Sequence, residues 1–374
     1  MVKKIIIFFI FVIFCCTLGI HIFVKKEDIQ RTYFSNGKVQ SEIIYKNKKR
    51  NGLAKYYYDN GRIRLEIPYL NNQIHGVFKQ YYPNGNLMTT FTRKNEKTEG
   101  ILQEFYETGQ IKYEEHYSND LLTGPIKEFY PTGILKQETI YVNGLRNGSE
   151  KIYYENGQIK EEAIYKNDRL DGSRKTYSKS GILKMHVPFK NDVVDGDVYM
   201  FFDNGKKQAI FPYKNGILEG IGFEFDQDEN KIASYSFKNN ERDGISKVYS
   251  KTGTILIEMT YKNGKLDGVA KEYFENGSLH SEIPYQNNQK NGDAKVYYID
   301  GTLAKTLSFK NNQIHGNAKS FSKDGKLTTE LHFDSGKIIS GFSYQSEKKQ
   351  PLTQDELSKI SSLKNILFYE ADKK

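Results

Sequence analysis

Nine lysines recur at one position of the chain: Lys55, Lys79, Lys127, Lys151, Lys175, Lys247, Lys271, Lys295 and Lys319. Each stands 24 residues, or a whole multiple of 24, from the next. Ammonium groups at a fixed repeat can hold carboxylates on a partner, so these nine are candidate binding residues. A second row, Glu42, Glu66, Glu114, Glu138, Glu162, Glu258, Glu282 and Glu330, accompanies them. The structural reading is plainer: lysine stems cover aromatic neighbours while the ammonium heads stay in water.

Other reactive residue types are scattered. His75 and His315 share the turn Asn-Asn-Gln-Ile-His-Gly, and His116 and His332 share another repeat position. No two histidines have a carboxylate or cysteine at metal-ligand spacing. Asp226, Asp228 and Glu229 could hold calcium as an acidic loop, or mark a decayed turn. Cys15 and Cys16 are the chain's two cysteines, so the rest can form no disulfide, zinc-thiolate site or thiol nucleophile. There is no phosphate-binding glycine loop, nucleophile elbow or kinase signature. The residues therefore predict no enzyme, cofactor or metal. The net charge of +9 comes from 55 basic and 46 acidic residues of mixed position, not the concentrated basic stripe of a nucleic-acid binder.

What positions these residues is a 24-residue period from about Tyr33 to Ser343. Glycine recurs at Gly37, Gly61, Gly85 and onward to Gly325, missing one degenerate copy, and a second glycine row runs without a gap from Gly52 to Gly316. Strict periodicity predicts a stack of one supersecondary unit, with function on a repeated surface. Within a copy, β-prone runs flank Asp59-Asn60-Gly61, a hairpin signal, and each copy reads as two antiparallel strands. Thirteen copies give about 26 strands, a sheet on the order of 120 Å long at ~4.8 Å per strand.

The Tyr57 position is aromatic in all thirteen copies, the Ile63 position aliphatic in eleven, and the Tyr69 position aromatic in twelve, failing at Arg93. These rows read as the core, so Tyr153→Ala is expected to cost the roughly 3–5 kcal/mol of a core aromatic. The Asn47, Asn71 and Asn95 series reads as turn chemistry, since Asn tolerates left-handed backbone. Two registers compete for the hairpin. A two-residue Asn60-Gly61 loop sets Lys55 across from Glu66; a three-residue loop with a glycine bulge sets Tyr57 across from Ile63. The second is favoured because it puts both apolar rows on one face. A one-residue slip exchanges every side chain between faces.

Residues 1–26 stand outside the repeat. Lys3 and Lys4 precede an apolar run from Ile5 to Val24, which Lys25 and Lys26 close. Twenty such residues can cross a bilayer of roughly 30 Å, and the preceding charges favour an exported C-terminal region. The segment reads as a signal anchor, as a cleaved signal peptide with Thr17-Leu18-Gly19 as the cleavage site, or as a lipoprotein signal. The expected location is the cell envelope, anchored in the cytoplasmic membrane with the repeats exported; the alternative is secretion or periplasmic release after cleavage. Protease added to intact spheroplasts should then digest the repeats, and full protection would contradict export. At the other end, 346–374 reads as a polar linker and then a helix, with Thr353-Gln354-Asp355-Glu356 as a capping box and Leu357, Ile360, Leu363 and Leu367 as its apolar stripe.

The pattern aromatic–aromatic–x–Asn–Gly–x–Ile/Leu–x–x–Glu, then Tyr–Lys–Asn–Gly and a further Gly, resembles the MORN repeat in the variant of bacterial YwqK-type proteins. Tyr153-Tyr154-Glu155-Asn156-Gly157-Gln158-Ile159-Lys160-Glu161-Glu162, followed by Tyr165-Lys166-Asn167, carries it clearly. The resemblance implies an elongated single antiparallel sheet of tandem hairpins serving as an interaction scaffold, and some bacterial members are labelled antitoxins. The expected fold is all-β over 27–345, with an N-terminal hydrophobic helix and a short C-terminal capping helix. The expected function is a non-catalytic exported scaffold for a protein or envelope component. The alternative is an antitoxin or immunity protein that neutralises a toxin.

Overall fold

The computed structural model describes residues 28–345 and 348–362. The expected N-terminal apolar helix lies outside these residues; among the described ones, no helix is long and apolar enough to cross a membrane. The chain divides into two compact units, residues 1–148 and 149–374, with the division inside the strand Leu145–Tyr153. Both are antiparallel sheets of tandem hairpins, so the all-β repeat class expected from the periodicity is what the chain adopts.

In the hairpin of strands Gly52–Tyr57 and Ile63–Leu70, the loop is Asp59-Asn60-Gly61. The Tyr58 N–H donates to the Arg62 carbonyl at 2.8 Å and the Gly61 N–H to the Tyr58 carbonyl at 2.9 Å. Gly61 has φ 89°, a left-handed value that closes such a loop at little cost only for glycine. Tyr57 therefore stands across from Ile63, as favoured. Yet Lys55 also stands across from Glu66, because Arg64 is an extra residue in its strand. The two registers compete in sequence but coexist in the structure. The same bulge recurs at Lys112, Lys184 and His280. One face therefore collects Leu53, Lys55, Tyr57, Ile63, Glu66 and Pro68; the other collects Ala54, Tyr56, Leu65, Ile67 and Tyr69.

At the opposite hairpin end, Asn71 and Asn72 have φ of 52° and 73°. Asn72 also staples neighbouring repeats, its Oδ1 accepting from the Arg50 N–H at 2.7 Å. The next strand is interrupted near its glycine, so the described residues hold 36 strands where about 26 were expected. In the runs Lys97–Phe105 and Arg169–Tyr177 it passes through unbroken. The second glycine row lies at this point of the strand whether it is broken or not; in the unbroken run a Cβ on Gly172 would lie 2.8 Å from the Cβ of Ile164.

The aromatic rows are not a buried core. Every described residue at the Tyr57 position is half-buried, except Tyr33, which is exposed. A one-layer sheet has no second layer to cover them. Full burial falls instead to small residues between larger neighbours, such as Ala54, Ala163 and Ser281. Tyr153→Ala should accordingly cost less than a core truncation. Among the described residues a closed core forms only at the C-terminal end, where Leu307, Phe309, Leu331 and Phe333 pack with Leu357 of the helix Gln354–Ser362.

That helix opens with the expected capping box. The Thr353 N–H donates to Glu356 Oε2 at 2.7 Å, and the Glu356 N–H to Thr353 Oγ1 at 3.3 Å. Leu363 and Leu367 of its expected stripe lie outside the described residues. The expected polar linker is corrected: Lys348–Pro351 is a strand paired with Lys337–Gln345. Polar residues can form an edge strand because one side of it needs no partner, and lysine and proline there deter further pairing.

Candidate functional site

The bulge at Arg64 determines how the lysine row is built. Across the first unit Lys55 lies between Glu42 and Glu66, and Lys79 stands opposite Glu66 in turn. Lys127 lies between Glu114 and Glu138. In the second unit Lys175 is opposite Glu162, and Lys247, Glu258, Lys271, Glu282 and Lys295 alternate strand by strand. Lys319 stands opposite Glu330. Ammonium–carboxylate distances are 3.0 Å for Lys247–Glu258, 3.7 Å for Lys271–Glu282 and 3.6 Å for Lys319–Glu330. Lys151 occupies the same repeat position in the strand Leu145–Tyr153.

Several of these carboxylates have a further partner. Tyr57, Tyr81, Tyr177 and Tyr273 donate their hydroxyls to Glu42, Glu66, Glu162 and Glu258 of the preceding hairpin, at 2.8–2.9 Å. The lysine, glutamate and tyrosine rows thus form a polar ladder within each unit, in which Lys127, Lys247, Lys271 and Lys319 have a ladder carboxylate within 4.0 Å. Partly exposed ion pairs of this kind contribute about 0–1 kcal/mol each. Glu42 is held below the usual carboxylate range by its hydrogen bond from Arg31, and then by that from Tyr57.

The ladder predicts an alkaline transition. Burial, and then hydrogen bonding to a glutamate, pushes Tyr57, Tyr81, Tyr177 and Tyr273 up to about 12. Tyrosine in an unfolded chain ionises near pH ~10, so between these values the native state binds more protons. The stability these tyrosines add is full below pH ~10 and is lost as pH rises through about 12. Tyrosinate absorbance should lag behind that of free tyrosine and rise together with loss of the β circular dichroism signal. Ionisation near pH ~10 in a sheet that stays folded would contradict the ladder.

Beside the ladder on the same face runs a row of exposed apolar side chains: Ile29, Leu53, Val77 and Ile101 in the first unit, and Ile221, Ile245 and Val269 in the second. Sequence reasoning passed over this row. The signal was partial: Leu53, Val77, Ile245 and Val269 stand two positions before Lys55, Lys79, Lys247 and Lys271.

The opposite face offers a cleft of about 610 Å³ lined by Arg50, Tyr69, Ile74, Phe91 and Arg93. Arg50 lies 4.3 Å above the Tyr69 ring and donates to its hydroxyl at 3.0 Å. Arg93, the departure from the aromatic row, bonds to Thr98, Asp120 and the Glu96 carbonyl. Both guanidinium groups are therefore committed to the sheet.

The candidate metal ligands are likewise used locally. Asp226 Oδ1 accepts the N–H groups of Asp228 and Asn230 at 2.9 Å each, so the acidic loop is a turn, with Glu229 at φ 70° in the glycine place. His116 Nδ1 is 2.7 Å from the Pro125 carbonyl, and His315 pairs with Asp334 at 3.4 Å. Among the described residues, no three His, Cys, Asp or Glu side chains form a group able to hold a metal ion.

A family model described as a MORN repeat variant matches residues 29–47, 50–71, 74–95, 98–119, 122–143, 146–167, 170–191, 194–215, 242–263, 266–287 and 314–335, together more than half of the chain. No curated protein matches. Among solved structures, the crystal structure of TcdB2-TccC3-Cdc42 is 11% identical with a TM-score of 0.17, covering 87% of this chain and 20% of that one. The structure of the Photorhabdus luminescens Tc holotoxin pore is also 11% identical with a TM-score of 0.17, covering 89% and 17%. The chain thus spans about a fifth of the length of these matches, and at that score neither bears on fold or function.

Proposed function

The chain belongs to the MORN repeat variant family, and we propose that it is a non-catalytic scaffold holding a protein partner on the lysine face of its hairpins. The observation that carries this reading is the row of exposed aliphatic side chains from Ile29 to Ile101 and from Ile221 to Val269. Apolar side chains aligned in solvent on one face leave surface that a partner can cover. The polar ladder beside them offers lysines that a partner carboxylate can share with Glu66 or Glu258. The nine lysines are thus proposed as the rim of the contact, with the aliphatic row as its centre. A toxin-neutralising role would use the same face.

A photoreactive amino acid placed at Val77 or Val269 should form protein adducts in the native host, whereas one at Met185 on the opposite face should not. Equal adducts from both faces, or adducts from Met185 alone, would refute the assignment.

A further inference from the structure

Between residues 175 and 247 the polar ladder stops. Lys175 is followed across the strands by His186, Tyr199, Ile210, Phe223 and Ser234 before Lys247 resumes the alternation. His186 stacks on Tyr199 with ring centroids 5.8 Å apart. Over the same stretch the aliphatic position near the loops changes sign of character: Lys207 stands across from Phe201 and Lys231 across from Phe225. Both lysines are exposed. Lys231 Nζ lies 4.8 Å from the Phe223 ring centroid and 5.5 Å from that of Tyr249. At the other hairpin end Lys190, Lys214, Lys238 and Lys262 are exposed at the final strand position, which shares this face. The repeat has replaced both the lysines and the glutamates of the ladder here with His186, Tyr199, Ile210, Phe223 and Ser234, and has bordered them with lysines on two sides, which outnumber Asp197, the acidic residue on this face of the window's strands. The family model leaves 216–241, the stretch holding Phe223 and Ser234, between its matches 194–215 and 242–263.

The geometry points to this window on the lysine face of the second unit, Lys175 to Lys247, as the docking site for an acidic protein segment that carries apolar side chains. The inference rests on the scaffold reading above and narrows it to one place and one chemistry. Charge complementarity selects the acidic character, because Lys207 and Lys231 have no glutamate opposite them in the ladder. The aliphatics select a polypeptide. Ile210 is a centre of the window and Ile221, 55% exposed, and Ile245 border it; a polyanion such as nucleic acid would match the rings and lysines but leave these aliphatics uncovered. Seven strands, six spacings of ~4.8 Å, span a little under ~30 Å, the reach of about eight extended residues.

The test uses the full-length chain in its host with a photoreactive amino acid at Ile221, compared with one at Val77, and the cross-linked partner peptide sequenced. The expected adduct at Ile221 is a peptide rich in Asp or Glu with interspersed apolar residues. Lys207→Glu with Lys231→Glu should lower its yield roughly tenfold through like-charge repulsion. Lys207→Ile with Lys231→Leu, which restores the usual aliphatic position and guards against misfolding, should also weaken it and increase its resistance to salt. Adducts at Val77 with none at Ile221 would overturn the window while leaving the scaffold reading standing. A nucleic-acid, glycan or lipid adduct at Ile221, a peptide without acidic residues, or a yield unchanged by both lysine variants would overturn the proposed occupant. No protein adduct at either position would remove the scaffold reading as well.

Discussion

Phe333→Ala is expected to loosen the last hairpins and release the C-terminal helix, at a cost of about 3–5 kcal/mol. Phe333 is 2% exposed and belongs to the one cluster of large buried side chains among the described residues, with Leu307, Phe309, Leu331 and Leu357. Elsewhere the sheet offers only half-buried rings, so the same change at Tyr153 should cost less. Because each repeat leans on its neighbours, the damage should stay near the site. Hydrogen exchange should accelerate over residues 303–345 and the helix while distant hairpins keep their protection. Similar losses from Phe333→Ala and Tyr153→Ala would mean that the helix does not close a core.

Gly172→Val should be nearly as damaging, and Gly157→Ala much less so. Gly172 combines φ 140° with a Cβ position 2.8 Å from the Ile164 Cβ and 3.1 Å from its Cγ2. A branched side chain there must both adopt a backbone that L-residues avoid and push a strand aside, so a cost of several kcal/mol follows. Gly157, at φ 82°, has nothing within 4 Å of a Cβ position. Its replacement carries only the left-handed penalty of roughly 1–2 kcal/mol, and Asn there should be milder still. Thermal melting with hydrogen exchange over 159–177 separates the two rows; equal effects would mean that close approach to Ile164 is unimportant.

The hairpins, the left-handed asparagines and the capping box at Thr353 were legible because each is set within a few residues. The Asp59-Asn60-Gly61 loop follows from its own backbone preferences. The bulge at Arg64 was not legible. Its position is filled by Met88, Lys112, Ile232, His280 and Ala304 in other copies, so no single residue type marks it, and its cause lies in fitting a glycine loop to a strand that must also pair Lys55 with Glu66. The depth of the aromatic rows was also misjudged. Residue type shows that Tyr57 is amphipathic, but how much of it is covered depends on whether a second layer exists. Among the described residues only the helix at 354–362 supplies one. Of the candidate site, the lysines were visible as a row, while their partners were visible only as a second row at an undecided register. The interruption between Lys175 and Lys247 was present in the missing lysines and glutamates, yet its meaning needed the strand alignment that brings His186, Tyr199, Ile210 and Phe223 side by side.

The assignment of a lysine face rests on the bulged register, and cysteine pairing tests it directly. With Cys15 and Cys16 replaced by serine, cysteines at Lys271 and Glu282 stand directly across the hairpin, within the span a disulfide bridges. Without the bulge at His280, Lys271 would face Ser281, whose side chain here belongs to the opposite face and is buried. The account predicts rapid oxidation of the Lys271→Cys, Glu282→Cys pair in the folded protein and none of the Lys271→Cys, Ser281→Cys pair. The reverse result would place lysines and glutamates on different faces and dissolve the ladder on which the docking surface is built.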